Sequence, residues 1–450
     1  MNNFIFNQIK PRIFKDSQKS IFDYILIAVD NDKGRCLVAT KQIRRGDTIL
    51  IDDAILSAPA PNSTPVCPSC LFKIQGNAES VTKCLECKIP ICGRPECQQN
   101  SCHMVECRIF SSNKVNIDIS NFDNPNSIYS VIGPARLLDI RQKSLKNEDG
   151  RWGKLSSLPD HSEERKQLRG GEWKMFQLDV VELLRDRCFM KNEVSEDELN
   201  RIIGIFAVNS ISLDNNKQIH GRALFPVFSM INHDCLSNSK FQINFDGSKN
   251  PRICVKARRD IEADEEITIQ YTTSILGTHK RRKKLRSDYY FDCKCRRCID
   301  VTECGTFVSA IVCEVCGENS QHYMLPNDPL DEYSIWNCSH CDFTLDVETV
   351  VRKVDGIQDE ISEITHKHDT MLIERFISDY SDTVLHPNHY LLLLAKRNHL
   401  FLCRKTMIQL IASQKDSEET ANMKQAFKNQ CDLFKSHLQV LEKINCGSRS

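Results

Sequence analysis

Cysteine placement constrains this chain more than any other feature. Cysteine supplies 23 of the 450 residues, about 5%. Random placement at that frequency gives about one C-x-x-C pair. Five are present: Cys67/Cys70, Cys84/Cys87, Cys295/Cys298, Cys313/Cys316 and Cys338/Cys341. The start, MNNFIFNQIK, lacks a basic end followed by a long apolar run, so no secretory signal is expected. Without export, a reducing compartment disfavours disulfides, and clustered thiols point to metal.

The first block reads Cys67-x2-Cys70-x13-Cys84-x2-Cys87-x4-Cys92-x4-Cys97-x5-His103-x3-Cys107. Eight soft ligands within 41 residues suit two tetrahedral zinc sites with no open position for a catalytic water. The interleaved pairing is expected, with Cys67, Cys70, Cys92 and Cys97 on one ion and Cys84, Cys87, His103 and Cys107 on the other. His103 and Cys107 stand four apart, so one helical face can aim both at one metal. Reactive or merely buried thiols are the competing reading, and Cys102 is an unassigned spare. Cys293-x-Cys295-x2-Cys298 offers three ligands and needs a fourth from elsewhere. Cys313-x2-Cys316 and Cys338-x2-Cys341, 21 residues apart, form a four-cysteine ribbon pattern. The scattered Cys36, Cys188, Cys254, Cys304, Cys403, Cys431 and Cys446 are expected to be small buried hydrophobes.

Charge and hydropathy narrow the class further. Lys plus Arg and Asp plus Glu are each 60, a balance that argues against nucleic-acid binding over the whole surface. Mean hydropathy is −0.39, and no apolar run approaches the ~18–20 residues that span a bilayer. A soluble intracellular protein of about three domains is expected. Lys280–Arg286 holds six basic residues in seven. It reads as a solvated helix face, with a nuclear import signal or phosphate patch as the alternatives.

Along the chain, residues 22–58 alternate as short strands and turns, and 59–65 form a proline-broken linker. Residues 111–150 are polar and poorly periodic. The spacing of Met175, Phe176, Leu178, Val181 and Leu184, then Ile202, Ile203, Ile205 and Phe206, predicts helices. Strand character returns over 222–271, and from Asp346 onward the apolar spacing is helical. Cys446–Ser450 carry no helix-ending signal, so the C-terminal domain is expected to be truncated.

Five stretches resemble one family. Gly34-Arg35-Cys36-Leu37-Val38-Ala39 with Arg45-Gly46-Asp47 resembles the opening of a SET domain, and the 67–107 block resembles a MYND finger inserted into it. Asn232-His233-Asp234-Cys235 resembles the N-H-S-C motif, and Asp264-Glu265-Glu266-Ile267-Thr268-Ile269-Gln270-Tyr271 resembles G-E-E-L-x-I-x-Y. Arg281-Arg282 through Tyr289, Phe291 and Cys298 resembles a post-SET segment. The order is similar to that of the SET-and-MYND (SMYD) proteins. The ribbon ending at Cys341 and Leu385-His386-Pro387-Asn388-His389-Tyr390 look most like the arthropod-specific SmydA branch.

The resemblance implies an α+β fold: a β-rich split SET domain with an inserted MYND zinc finger, post-SET zinc segment, zinc ribbon and α-helical C-terminal domain. Its segments would be 1–60 (SET start), 61–110 (finger), 111–205 (helical insert), 206–275 (SET core), 276–345 (post-SET site and ribbon) and 346–450 (helical domain). It implies a protein-lysine methyltransferase that uses S-adenosylmethionine. Arg35, Asn209, Asn232, His233 and Phe291 match cofactor-binding positions, and Tyr271 and Tyr289 match the tyrosines of the substrate channel. Cys235 matches the fourth ligand for Cys293, Cys295 and Cys298, bringing the zinc total to about four. The implied partner is a protein lysine, with a proline-rich peptide at the finger, nucleic acid at most secondary, and no membrane. Residence would be cytoplasmic and/or nuclear. Four positions depart from the pattern: Cys36 replaces a glycine, Asp234 a serine, Pro159 an acid, and Asp264 a glycine. With these departures, the alternative reading is a zinc-built interaction scaffold acting through the finger and helical tail.

The implied chemistry suits these residue types. A lysine of pKa about 10.4 must lose its proton to attack a methyl group, at a cost of about 4.6 kcal/mol at pH 7. A dry aromatic channel disfavours the ammonium. Tyrosine hydroxyls and backbone carbonyls can then align the amine, so positioning supplies much of the remaining rate.

Overall fold

Short-range alternation builds the N-terminal strands, and long-range pairing turns them into sheets. The computed structural model describes residues 24–412, apart from 31, 77–79, 99–102, 116, 118, 120–121, 189–192, 215–217, 248–249 and 319, and also 425, 428 and 440. The sequence readings at MNNFIFNQIK, Cys102, Cys431 and Cys446–Ser450 lie outside the described residues. Contacts divide the chain into two units. The first holds the residues up to Asn232, Ser239–Thr268 and Ser287–Tyr290. The second holds His233–Asn238, Ile269–Arg286 and the chain from Phe291.

In the first unit, β1 (Ile25–Asp30) and β2 (Gly34–Ala39) form an antiparallel hairpin in register from Ile25↔Ala39 to Asp30↔Gly34. The Asp30 carboxylate accepts the Asp32 and Lys33 N–H groups and so closes the turn. Strands β3 (Thr48–Asp53) and β4 (Leu56–Pro59) follow. The finger carries α1 (Pro95–Gln98) and α2 (Met104–Ser112). Next come α3 (Ile128–Leu145), α4 (Trp152–Leu155), α5 (Ser162–Leu168) and α6 (Gly170–Phe176). A π-helical stretch, Gln177–Arg187, leads to α7 (Glu196–Asn209). Helix α7 starts on a serine N-cap, in which Ser195 Oγ accepts the Glu198 N–H at 3.2 Å.

Strands β5 (Ile211–Ser212), β6 (Gly221–Leu224), β7 (Asn232–His233), β8 (Ser239–Asn244), β9 (Arg252–Ala257) and β10 (Glu266–Ile269) complete the β-rich part. They pair over long sequence separations. β10 meets β2 at Glu266↔Val38 and Ile267↔Leu37. β9 lies between β3 and β8, and β6 lies between β4 and β5. Asp264, in the turn before β10, takes φ +64°, the left-handed region where glycine is usual and aspartate is tolerated.

Helix α3 corrects the polar, aperiodic reading of 111–150. It is buried over most of its 18 residues, including Ser130, Pro134 and Arg136. A helix enclosed on every side shows no amphipathic period, which hid it. It packs close to α7: a Cβ on Gly133 would lie 2.4 Å from the Phe206 ring. The π-helical turns also shift the register of 177–187, leaving Leu178 exposed rather than on the core face.

In the second unit, α8 (Thr278–Tyr289) begins, its last three residues belonging to the first, and α9 (Arg296–Ile299) follows. Strands β11 (Ile311–Val312), β12 (Tyr323–Pro326), β13 (Trp336–Cys338) and β14 (Thr344–Leu345) form an antiparallel meander that carries the ribbon cysteines. Helices α10 (Val347–Lys367) and α11 (Thr370–Tyr380) start on Asp346 and Asp369, whose carboxylates accept first-turn N–H groups. α12 (Tyr390–Ala412) follows. Val350, Val354, Ile357 and Ile361 face a core shared with Ile373, Phe376 and Leu391–Leu393, as the spacing predicts. Among the described residues, no helix is long and apolar enough to cross a membrane.

Candidate functional site

Four donor sets assemble among the described residues: Cys67, Cys70, Cys92 and Cys97; Cys84, Cys87, His103 and Cys107; Cys235, Cys293, Cys295 and Cys298; Cys313, Cys316, Cys338 and Cys341. The interleaved pairing of the finger therefore holds. Two sulfurs each ~2.3 Å from a tetrahedral zinc should lie ~3.8 Å apart. The distances fit. Cys70–Cys92 is 3.8 Å, Cys84–Cys107 3.7 Å, Cys235–Cys298 3.6 Å and Cys316–Cys338 3.8 Å. Cys87 Sγ to His103 Nε2 is 3.6 Å. Sulfur and nitrogen donors alone, with four per site, suit closed structural zinc. Quantitative metal analysis of the purified chain is expected to find four zinc ions, and three after Cys67→Ser. A folded wild-type protein holding two would contradict this.

Buried charge orients the ligands, and sequence reading missed it. His103 Nδ1 faces the fully buried Glu106 at 3.2 Å, which leaves Nε2 as the metal donor. Arg136, from α3, donates to Glu106 at 2.9 Å and to the Ser57 and Pro68 carbonyls. In the second unit, Arg281 Nε donates to Cys235 Sγ at 3.2 Å, and its NH2 group lies 3.5 Å from Cys298 Sγ. Glu303 pairs with Arg281 at 2.6 Å and Arg297 at 2.9 Å, and all three are almost fully buried. Both guanidinium charges hold the Glu303 carboxyl at about 2, against the pull of its own burial. The solvated-face reading of 280–286 thus fails at Arg281 and Arg282, which are buried, while Lys280 pairs with Asp355 and Arg286 with Asp292. The three-residue offset of Glu106 from His103 was a legible signal; Arg281 carried none.

The motif residues fall into two groups. In the first unit, Asn232 Nδ2 donates to the Arg35 carbonyl at 3.2 Å and to Glu266 Oε1 at 2.9 Å. Asn209 Nδ2 donates to the Pro159 carbonyl at 2.8 Å and the Ile205 carbonyl at 2.9 Å. Each amide has spent both N–H bonds, so what remains to it is a side-chain carbonyl oxygen, an acceptor. Asp52 positions the approach to the motif by accepting the Val227 and Phe228 N–H groups at 2.8 and 2.9 Å. The Arg35 guanidinium grips Ser157. Cys36, the next residue on the strand, points the other way into a small cluster with Ala28 and Val38. Burial raises its thiol to about 11, so it stays neutral. Tyr289 ends α8.

In the second unit, His233 is the hub. Its Nδ1 accepts the Tyr271 backbone N–H at 2.9 Å, which places the proton on Nε2, 3.3 Å from Cys235 Sγ. The ring centroids of His233 and Tyr271 lie 5.4 Å apart, and those of His233 and Phe291 6.0 Å. Tyr271 and Phe291 meet edge-on at 6.3 Å. Gln270 donates to the Cys235 carbonyl at 2.9 Å. The candidate catalytic tyrosine therefore rests on a ring tied to a metal ligand.

Comparison with known proteins agrees. The SET domain family model matches residues 34–272. SET domain-containing protein SmydA-8, isoform B, of Drosophila melanogaster is 25% identical over 375 residues, covering 81% of this chain and 77% of its own. Human histone-lysine N-methyltransferase SMYD3 is 26% identical over 280 residues, and the match covers 59% of each chain. Among solved structures, the SET domain of LSMT bound to MeLysine and AdoHcy covers 91% of this chain and 92% of its own, at 14% identity and a TM-score of 0.29.

Proposed function

Because the chain belongs to the SET-domain family, in its SET-and-MYND group, we propose that it methylates a lysine of a protein substrate with S-adenosylmethionine. The observation that carries this reading is the His233–Tyr271–Phe291 cluster, an aromatic triad with one hydroxyl. We assign cofactor contacts to Arg35, Asn209, Asn232, His233 and Phe291, and the substrate channel to Tyr271 and Tyr289. The cofactor supplies an electrophilic methyl group when bound. The rings of Tyr271 and Phe291 disfavour the lysine ammonium by excluding water. The Tyr271 hydroxyl then orients the neutral amine, so geometry rather than acid–base exchange lowers the barrier.

Incubation with tritiated S-adenosylmethionine and histones or cell-lysate protein tests the reading. Label is expected in lysine, together with saturable cofactor binding by calorimetry. Absence of both would overturn it.

At the finger, Leu85 is 85% exposed and Met104 55% exposed, apolar side chains suited to a proline-rich peptide. A fluorescent polyproline peptide is expected to bind, with at least tenfold weaker affinity after Leu85→Asp; unchanged anisotropy would refute this. Structural thiolate zinc needs a reducing environment, which supports cytoplasmic or nuclear residence. Nucleic acid remains at most a secondary partner.

A further inference from the structure

Away from the methyl-transfer residues, the second unit contains a cavity that opens partly to solvent. Its walls include Val347, Val350, Val354, Trp336 and Pro326, from α10 and the zinc ribbon. His389 and Tyr390 also line it, at the start of α12.

These two residues carry an unmet chemical demand. His389 is 0% exposed and Tyr390 3%, and neither His389 Nε2 nor the Tyr390 hydroxyl has a hydrogen-bond partner. The tautomer follows from the backbone. Leu391 N–H donates to His389 Nδ1 at 3.3 Å, so the proton of the neutral ring sits on Nε2. Burial keeps the imidazole neutral and the phenol protonated. Two buried donors are therefore unpaired, and each such group carries a desolvation cost until an acceptor meets it. The charged side chains around the cavity are already committed: Lys280 to Asp355, Glu303 to Arg281 and Arg297, Asp300 to Thr302, and Asp331 to the Tyr333 N–H.

We propose that this cavity binds a small, mainly aliphatic molecule through one neutral carbonyl oxygen, which accepts from His389 Nε2–H and Tyr390 O–H. The valine, proline and tryptophan walls take the aliphatic body. The acceptor is neutral because Asp300, Asp331 and Asp355 line the space with one lysine, while Glu303 is already matched by Arg281 and Arg297, so a ligand carboxylate would add to an excess of negative charge. The proposal is independent of the methyltransferase reading, since none of its residues belongs to that chemistry.

Trp336 provides the reporter, because the chain has three tryptophans. The full zinc-loaded chain carrying 5-fluorotryptophan gives three fluorine resonances, with Trp336 assigned by Trp336→Phe. Cyclohexylacetamide is the probe, and cyclohexylacetate is its anionic counterpart. The amide is expected to shift the Trp336 resonance saturably below about 10 mM and leave the other two in place. The carboxylate should bind at least tenfold more weakly. Tyr390→Phe, which deletes only the hydroxyl, should weaken amide binding about tenfold, and Val354→Phe, which fills the space, should abolish it. Zinc content and melting temperature check that both variants fold. No saturable shift in the wild type would overturn the proposal. So would equal binding of the carboxylate, or unchanged binding by a folded Tyr390→Phe protein.

Discussion

Replacing Tyr271 with phenylalanine is expected to slow single-turnover methyl transfer by about 10²–10³-fold, or about 3–4 kcal/mol of transition-state stabilisation. The variant keeps the ring, so the edge-on contact with Phe291 and the backbone bond to His233 survive. Only the hydroxyl proposed to orient the amine is lost, and misplacement of a reactant by about 1 Å can cost ~10²-fold. Binding of S-adenosylmethionine should therefore change by less than about twofold. Rapid-quench transfer from the labelled cofactor, paired with calorimetry, separates the two quantities. A variant that turns over at the wild-type rate would remove Tyr271 from the reaction. A variant that loses cofactor affinity instead would make it a binding residue.

A second large effect is expected at Glu303→Gln. The substitution keeps the shape but removes the carboxylate that pairs with both Arg281 and Arg297, each 0% exposed. Breaking a buried ion pair by removing one partner costs about 3–5 kcal/mol, because the remaining charge stays desolvated. At roughly 2–4 °C per kcal/mol for a unit of this size, the apparent melting temperature should fall by roughly 10 °C. The loss also has a pH signature. The carboxyl titrates near 4.5 when unfolded and at about 2 when folded. Its contribution is therefore complete above pH 4.5 and disappears as pH falls toward 2. Denaturant midpoints of wild type and variant should differ most at neutral pH and converge across that window. A constant difference down to pH 2 would show that the pair does not act through charge.

The metal sites and the cofactor motifs were legible for different reasons. Within the finger and the ribbon, ligands come in close pairs, so spacing alone announced the donors. Cys235 stands 58 residues from Cys293, and only resemblance to a family joined them. Strand alternation was readable in β1 to β3, yet the partners β9 and β10 lie about 200 residues or more away, beyond the reach of local pattern. Burial was hardest to read where it enclosed polar groups. Arg136, Arg281, Arg297, Glu106 and Glu303 look like surface residues in one dimension and are buried in three, because each is matched there by hydrogen bonds and ion pairs that hydropathy does not show. The π-helical stretch and α3 escaped for the related reason that neither presents a clean period of 3.6.

The short span from His233 to Cys235 joins two properties that are usually separable. Because the same imidazole receives the Tyr271 amide and points its proton at the Cys235 sulfur, any event that withdraws that sulfur also frees the ring beneath the tyrosine. Oxidation or chelation at this knuckle would then silence turnover before the rest of the chain unfolds. Specific activity should vary between preparations in proportion to how fully that knuckle is loaded, making metal supply a dial on the enzyme's output.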